Sequence, residues 1–281
     1  MTLHWTHVRI PAPDRVGPGG ISRPEPPAEL SGLLRGLRAA DPAARWFFHW
    51  SDGAHPAAVD LWAAARGDVS QEFARHCREL GPALGAPPEN PPAPGEFHPA
   101  AVHGPAALPI EFDDEIAMAS SELALAVTRE PAFDHHTQLV LAVWQLRHVI
   151  ALLGEPARRG FLFRIWQHRT AALTPAQRTG LCARSAEAVR SVAGGLPAMS
   201  PDTERGWEGY LRSLRRTAQA WQAADAPVNY LLFEHTHLTL RRLRVPSAVE
   251  ALAARTLRAS LTPSGADRAP LAVPRTVLQT A

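Results

Sequence analysis

The chain has 281 residues, 46% hydrophobic and 20% charged, which is the composition of a folded globular protein with room for one or two domains. All 29 of its basic Lys-or-Arg positions are arginine, so chemistry that requires an ε-amine is excluded, including Schiff bases, a phosphate-loop lysine and a kinase-type lysine. A net charge of +2 argues against wholesale binding of nucleic acid, and two cysteines, Cys77 and Cys182, are too few for a disulfide framework or a cysteine-based zinc site.

In chain order, residues 5–10 (WTHVRI) alternate and predict a strand, broken by Pro11 and Pro13. Residues 11–27 hold six prolines and read as loop. Residues 28–40 place Leu30, Leu33, Leu34 and Leu37 on one face of a helix. RWFFHW (45–50) and AAVDLWAA (57–64) flank the turn-like SDGAHP and predict a hairpin. Residues 68–80 predict a helix capped by Asp68 or Ser70. The stretch 81–109 holds nine prolines and reads as a seam between an N-terminal α+β part and a mainly helical C-terminal part. Helices are expected near 112–129, 134–154, 156–172, 175–193, 201–224, 227–244 and 246–260, with Pro156, Pro175, Pro201, Pro227 and Pro246 at their starts. Residues 261–281 read as a flexible tail. No run approaches the ~20 uninterrupted apolar residues of a membrane helix, and MTLHWTHVRI is not a signal peptide, so a soluble cytoplasmic protein is expected.

The segment 228–245 carries the densest chemistry. Helical spacing aligns Tyr230, Glu234, His237 and Arg241 in one stripe, and Leu231, His235, Leu238 and Arg242 in the next. A phenol, a carboxylate, an imidazole and a guanidinium in line read either as an acid–base apparatus or as a partly exposed ion network. His235 and His237 stand about 200° apart around a helix, so both cannot face one ion, and no metal-binding motif occurs. The GxGxxG, GxSxG and Walker patterns are also missing. Asp113, Asp114, Glu115 and Glu122 precede or sit on the first C-terminal helix, where acids at the start suit the dipole, and Ser120 and Ser121 are helix-interior hydroxyls. The eight tryptophans read as core, with the option of a flat wall for a heteroaromatic substrate, Trp207 among them. Arg212, Arg215 and Arg216, with Arg241, Arg242 and Arg244, form cation clusters that suit either solvent or an acidic peptide.

Three segments carry a resemblance. WFFHW with the strand after it resembles the paired strands early in the C-terminal, glutamate-eliminating domain of lantibiotic dehydratases. MASSELAL (118–125) resembles that domain's helix with a small or acidic residue before serine. His237-Leu238-Thr239-Leu240-Arg241-Arg242-Leu243 is similar to the family's histidine, hydrophobic residue, two-residue spacer, Asn-Arg-Leu signature, with Arg241 in place of asparagine. Together they span the chain from Trp5 to Leu243. The resemblance implies a single elimination-domain-like fold over 1–260, α+β, with a small antiparallel sheet and helices in its N-terminal part.

The departures narrow the function. Eliminating members use arginines on the early strands and a Tyr-Gly-Gly motif, whereas the stretch WFFHWSDGAHPAAVDLWA has no arginine and no YGG occurs. The carboxylate of a glutamyl group would lack its cationic clamp. A stand-alone chain of this kind resembles the thiopeptide pyridine synthases, which join two dehydroalanines of a thiazole-bearing peptide in a formal [4+2] aza-cycloaddition. Water and the leader peptide then leave. The resemblance implies no cofactor, no metal, and a leader-bearing, dehydrated precursor peptide as partner. The residues assigned are Tyr230, Glu234, His237 and Tyr210 for catalysis, the chain having only two tyrosines. Arg241, Arg242, Ser121, Glu122 and Trp207 are assigned to substrate binding. Two other readings stay open, a split glutamate-eliminating enzyme and a non-catalytic module that binds a leader peptide.

Overall fold

The computed structural model describes residues 3–12, 14–16, 22–50, 58–83, 113–130, 134–192, 195 and 198–261. The turn SDGAHP, the proline-rich stretch beyond residue 83 and the tail beyond residue 261 lie outside the described residues. The chain divides into two compact units, Met1–Pro131 and Ala132–Ala281.

The first unit is built on a three-stranded antiparallel sheet in the order β1 (His4–Pro11), β5 (Ala58–Ala65), β4 (Arg45–Trp50). Every residue of β5 is buried, which a central strand achieves only when both sheet faces are covered. On one face α2 (Gly67–Ala83) reaches β1 through Ser70, whose hydroxyl lies 2.6 Å from that of Thr6. Because α2 starts at Gly67, both Asp68 and Ser70 lie inside its first turn and neither is its cap. On the other face α3 (Asp114–Val127) sets Ala117 against Phe47 and Trp62, with Trp5 packed beside them. Asp113 caps α3 by accepting from the N–H groups of Glu115 and Ile116. Helix α1 (Leu30–Ala40) buries Leu30, Leu34 and Leu37, and the loop after it is tied down by Asp41, whose carboxylate accepts from the N–H groups of Ala43 and Arg66.

Two expectations are corrected here. Residues 11–27 are not all loop: β2 (Asp14–Val16) and β3 (Ser22–Pro24) pair as a two-stranded antiparallel ribbon, because proline is tolerated on an edge that needs no ladder N–H. The helix at 112–129 belongs with the sheet, not with the helices after it, because its small residues fit against β4.

Asp60, at the middle of β5, is buried and charged. It accepts from Arg9 Nε at 3.0 Å and Arg9 Nη2 at 3.2 Å, with His7 Nε2 at 3.1 Å. The His7 ring stacks on Trp62 at 4.7 Å. So β1 and β4 do carry arginines outside the 46–63 stretch, and both are engaged: Arg9 on Asp60, and Arg45 on the carbonyls of Ala43 and Ala44.

The described residues of the second unit form α4 (His135–Ala151), α5 (Glu155–Arg169), α6 (Pro175–Val192), α7 (Pro201–Ala223), α8 (Val228–Arg242) and α9 (Ser247–Ser260). Asp134 and Ser200 cap α4 and α7 with side-chain hydrogen bonds, and Pro175 and Pro201 open α6 and α7. Helix α9 is buried on nearly every side and packs against α4, α5 and α6, its alanines allowing close approach. Helix α8 ends in a Schellman turn: the N–H of Val245 bonds the Leu240 carbonyl and Arg244 takes a left-handed φ of 56°. Pro246 is the N-cap residue of α9, whose first turn brings Glu250 to His237 of α8.

Candidate functional site

Helix α8 places its polar side chains on two sides. Its buried positions include Leu231, His235, Leu238, Thr239 and Arg242, while Glu234, His237 and Arg241 are partly exposed and Tyr230 is 50% exposed. The stripe Tyr230, Glu234, His237, Arg241 is therefore the accessible one, and the adjacent stripe faces the core. Arg242 lies wholly inside, and burial pulls its guanidinium below its usual pKa range.

The inward side builds a closed polar cluster from three helices. Gln145 of α4 donates from Nε2 to the Tyr210 hydroxyl at 3.2 Å and to the Thr236 carbonyl at 3.5 Å. The same Tyr210 hydroxyl, on α7, lies 3.3 Å from Nε2 of His235, within hydrogen-bond distance. The Thr239 hydroxyl lies 3.1 Å from the same nitrogen. The Tyr210 and His235 rings stack at 5.9 Å. Burial raises the Tyr210 phenol to about 12 and depresses the His235 imidazole to about 3, so both are neutral near pH 7. Aromatic edges continue the contact outward: Tyr210 to Trp207, Trp207 to Trp144, and Trp144 to His148. Burial, aided by Arg215 and Arg147, lowers His148 to about 4.

The other side of α8 meets a buried ion pair. Glu250, in the first turn of α9, has a side chain only 1% exposed. Its Oε1 accepts from Arg169 Nε at 3.0 Å, and its Oε2 lies 2.9 Å from Nδ1 of His237. The Arg169 guanidinium also covers the Phe233 ring at 5.4 Å. His235 and His237 thus serve separate networks, as their angular separation requires. Among the described residues, no three His, Cys, Asp or Glu side chains are grouped to hold a metal ion.

The remaining assigned residues are on the first unit. Ser121 is buried, donates to the Ala117 carbonyl at 2.8 Å, and accepts from the Phe48 N–H at 3.3 Å. It fastens α3 to β4. Glu122 is partly exposed and paired with Arg38 at 3.1 Å; desolvation raises its carboxyl pKa while Arg38 opposes the shift.

Sequence reasoning passed over Gln145, Thr239, Arg169 and Glu250 as partners. The only available signal for Glu250 was the lone carboxylate of its helix, set in the first turn, and that reads equally as a complement to the helix dipole.

The sequence matches no protein-family model. It matches no curated protein either. Solved structures do share its fold. One is described as "Pyridine synthase, TbtD, from thiomuracin biosynthesis", with a TM-score of 0.51 and 17% identity, covering 92% of this chain and 97% of that one. At this identity the likeness is one of fold alone.

Proposed function

We propose that this protein is a thiopeptide macrocyclase that forms a pyridine ring from two dehydroalanines by formal [4+2] aza-cycloaddition, with loss of water and leader peptide. The observation that carries the reading is the fold likeness to a pyridine synthase over nearly the full length of both chains. The kinship to the lantibiotic dehydratase elimination domain belongs to the same reading, supported by the HLTLRRL motif on α8. Fold alone does not fix function, so the chemistry is argued from the side chains.

One backbone amide of the peptide must be held as its iminol, to act as a 2-azadiene. That calls for a proton-exchanging group beside the amide, and the accessible stripe of α8 offers His237 with Glu234 and Tyr230 along the same face. The two alkenes lie far apart in the peptide, so orientation supplies much of the rate. Later steps need a proton for the departing hydroxyl and a base that drives aromatisation, both within reach of an imidazole and a phenol. Arg241 on this stripe, and Glu122 on α3, are the substrate-binding groups that keep exposure. Tyr210, Trp207 and Arg242 are buried and shape α8 from within, and Ser121 fixes α3. No step is a redox change, so the proposed reaction calls for no redox cofactor.

The test is direct. Purified protein is incubated with a leader-bearing peptide containing dehydroalanines and thiazoles, and the products are read by mass spectrometry. Free leader peptide plus a macrocycle is the expected result, and neither product overturns the proposal. A dehydroamino acid formed from a glutamylated peptide would favour elimination, and peptide binding with no product would favour a leader-binding module.

A further inference from the structure

We infer that Glu250, backed by Arg169, is a positioning residue that fixes His237 in the tautomer with its hydrogen on Nδ1, leaving Nε2 to exchange protons with the peptide. This rests on the reading of His237 as the acid–base group given above.

The argument begins with the carboxylate. Removing Glu250 from water is costly unless both oxygens find donors, and its side chain is 1% exposed. Arg169 supplies the countercharge at Oε1, from a side chain itself 9% exposed. A carboxylate only accepts, so the 2.9 Å contact at Oε2 requires His237 to present an N–H there. In a neutral ring that places the lone pair on Nε2.

Access follows the same division. The His237 side chain is 18% exposed although its Nδ1 edge is pressed against a covered carboxylate. Nε2 is the ring nitrogen that the contact with Glu250 leaves uncommitted. The backbone makes the arrangement reproducible: the left-handed residue at Arg244 and the start at Pro246 fix where α9 begins relative to α8. An ion pair serving stability alone would be complete with Arg169 and Glu250. The third member adds orientation, as carboxylates do for histidine ligands and bases generally.

The experiment is long-range ¹H–¹⁵N correlation on the full chain, labelled at histidine, at a pH where the His237 ring is neutral. His237 is expected to show a pyrrole-type Nδ1 and a pyridine-type Nε2 in the wild-type protein, and a tautomer mixture in Glu250→Gln. An Nε2–H tautomer or an equal mixture in the wild-type protein overturns the inference without any variant having to fold. In parallel, Glu250→Gln is expected to lower kcat about ten- to a hundred-fold with little change in KM. A folded variant with wild-type kcat also overturns it. Wild-type protein with the Nδ1–H tautomer that makes no macrocycle overturns the pyridine-forming reading instead, so the two failures are distinguishable.

Discussion

The Tyr210 hydroxyl stands 3.3 Å from Nε2 of His235, with both residues sealed inside the second unit and Gln145 donating to the same hydroxyl. Tyr210→Phe deletes the shared atom and leaves His235 and Gln145 each short of a partner in the core. Unfolding in urea should show a loss of about 1–3 kcal/mol. An unchanged midpoint and slope would mean that the phenol contributes nothing there.

Acid should unfold the second unit through its buried imidazoles. His235 is held at about 3 and His148 at about 4 against an ordinary 6.5. Between those values and 6.5 the unfolded chain binds protons that the folded one refuses, so stability falls as pH falls through that window and is flat above about 7. For His235 the loss by pH 3 is on the order of several kcal/mol. Melting temperature against pH is the measurement, and His235→Asn should flatten the slope. A wild-type Tm that holds steady from pH 7 to pH 4 contradicts the assignment.

Arg169 and Glu250 should behave as a pair. Removing one partner strands a buried charge, so Arg169→Met and Glu250→Met should each cost about 3–5 kcal/mol. The double variant should recover much of that loss, because two thioether chains pack where two charges were. Additive losses in a double-mutant cycle would show that the two charges are not coupled.

Ser121→Ala should weaken the first unit. The hydroxyl accepts from the Phe48 N–H, and its loss removes a buried hydrogen bond between α3 and β4, at a cost of about 1 kcal/mol. Denaturant unfolding followed by tryptophan fluorescence reports it, since Trp46 and Trp50 lie on the same strand. No change in stability would remove the structural role given to this serine.

Activity should respond on the accessible side of α8. His237→Ala and Tyr230→Phe should slow macrocycle formation without lowering Tm by more than a degree or two in the case of Tyr230, which is half exposed. Leader affinity should fall as salt rises, because arginines contribute to docking. Wild-type turnover in both variants, or a salt-independent affinity, would remove these residues and charges from the proposed roles.

Much of the skeleton was legible because the chain punctuates itself. Pro175 and Pro201 open helices, Asp113, Asp134 and Ser200 cap them, and the alternation in WTHVRI and the run RWFFHW gave two of the sheet's strands. The β2–β3 ribbon was not legible, because its prolines signal loop and an edge ribbon does not need their missing N–H groups. The partner of α3 was not legible either, since periodicity states which face is buried but not against what. In the candidate site, the α8 stripes followed from helical spacing alone. Glu250 did not, because it meets His237 across a turn from a different helix, where no period links them.

Asp60 has one more consequence. Antiparallel register can slip, and a slip of one residue turns a strand's side chains to the opposite face. In the observed pairing Arg9 lies directly across from Asp60, and His7 lies across from Trp62. Shift β1 by one, and Val8 or Ile10 would face a buried carboxylate with no cation. Shift it by two, and Pro11 or His7 would take the place of the two-pronged guanidinium. A single acidic residue on the central strand thus acts as an indexing pin for its neighbour: the observed alignment sets the two-pronged Arg9 guanidinium across from Asp60, and a slip in either direction gives up that pair.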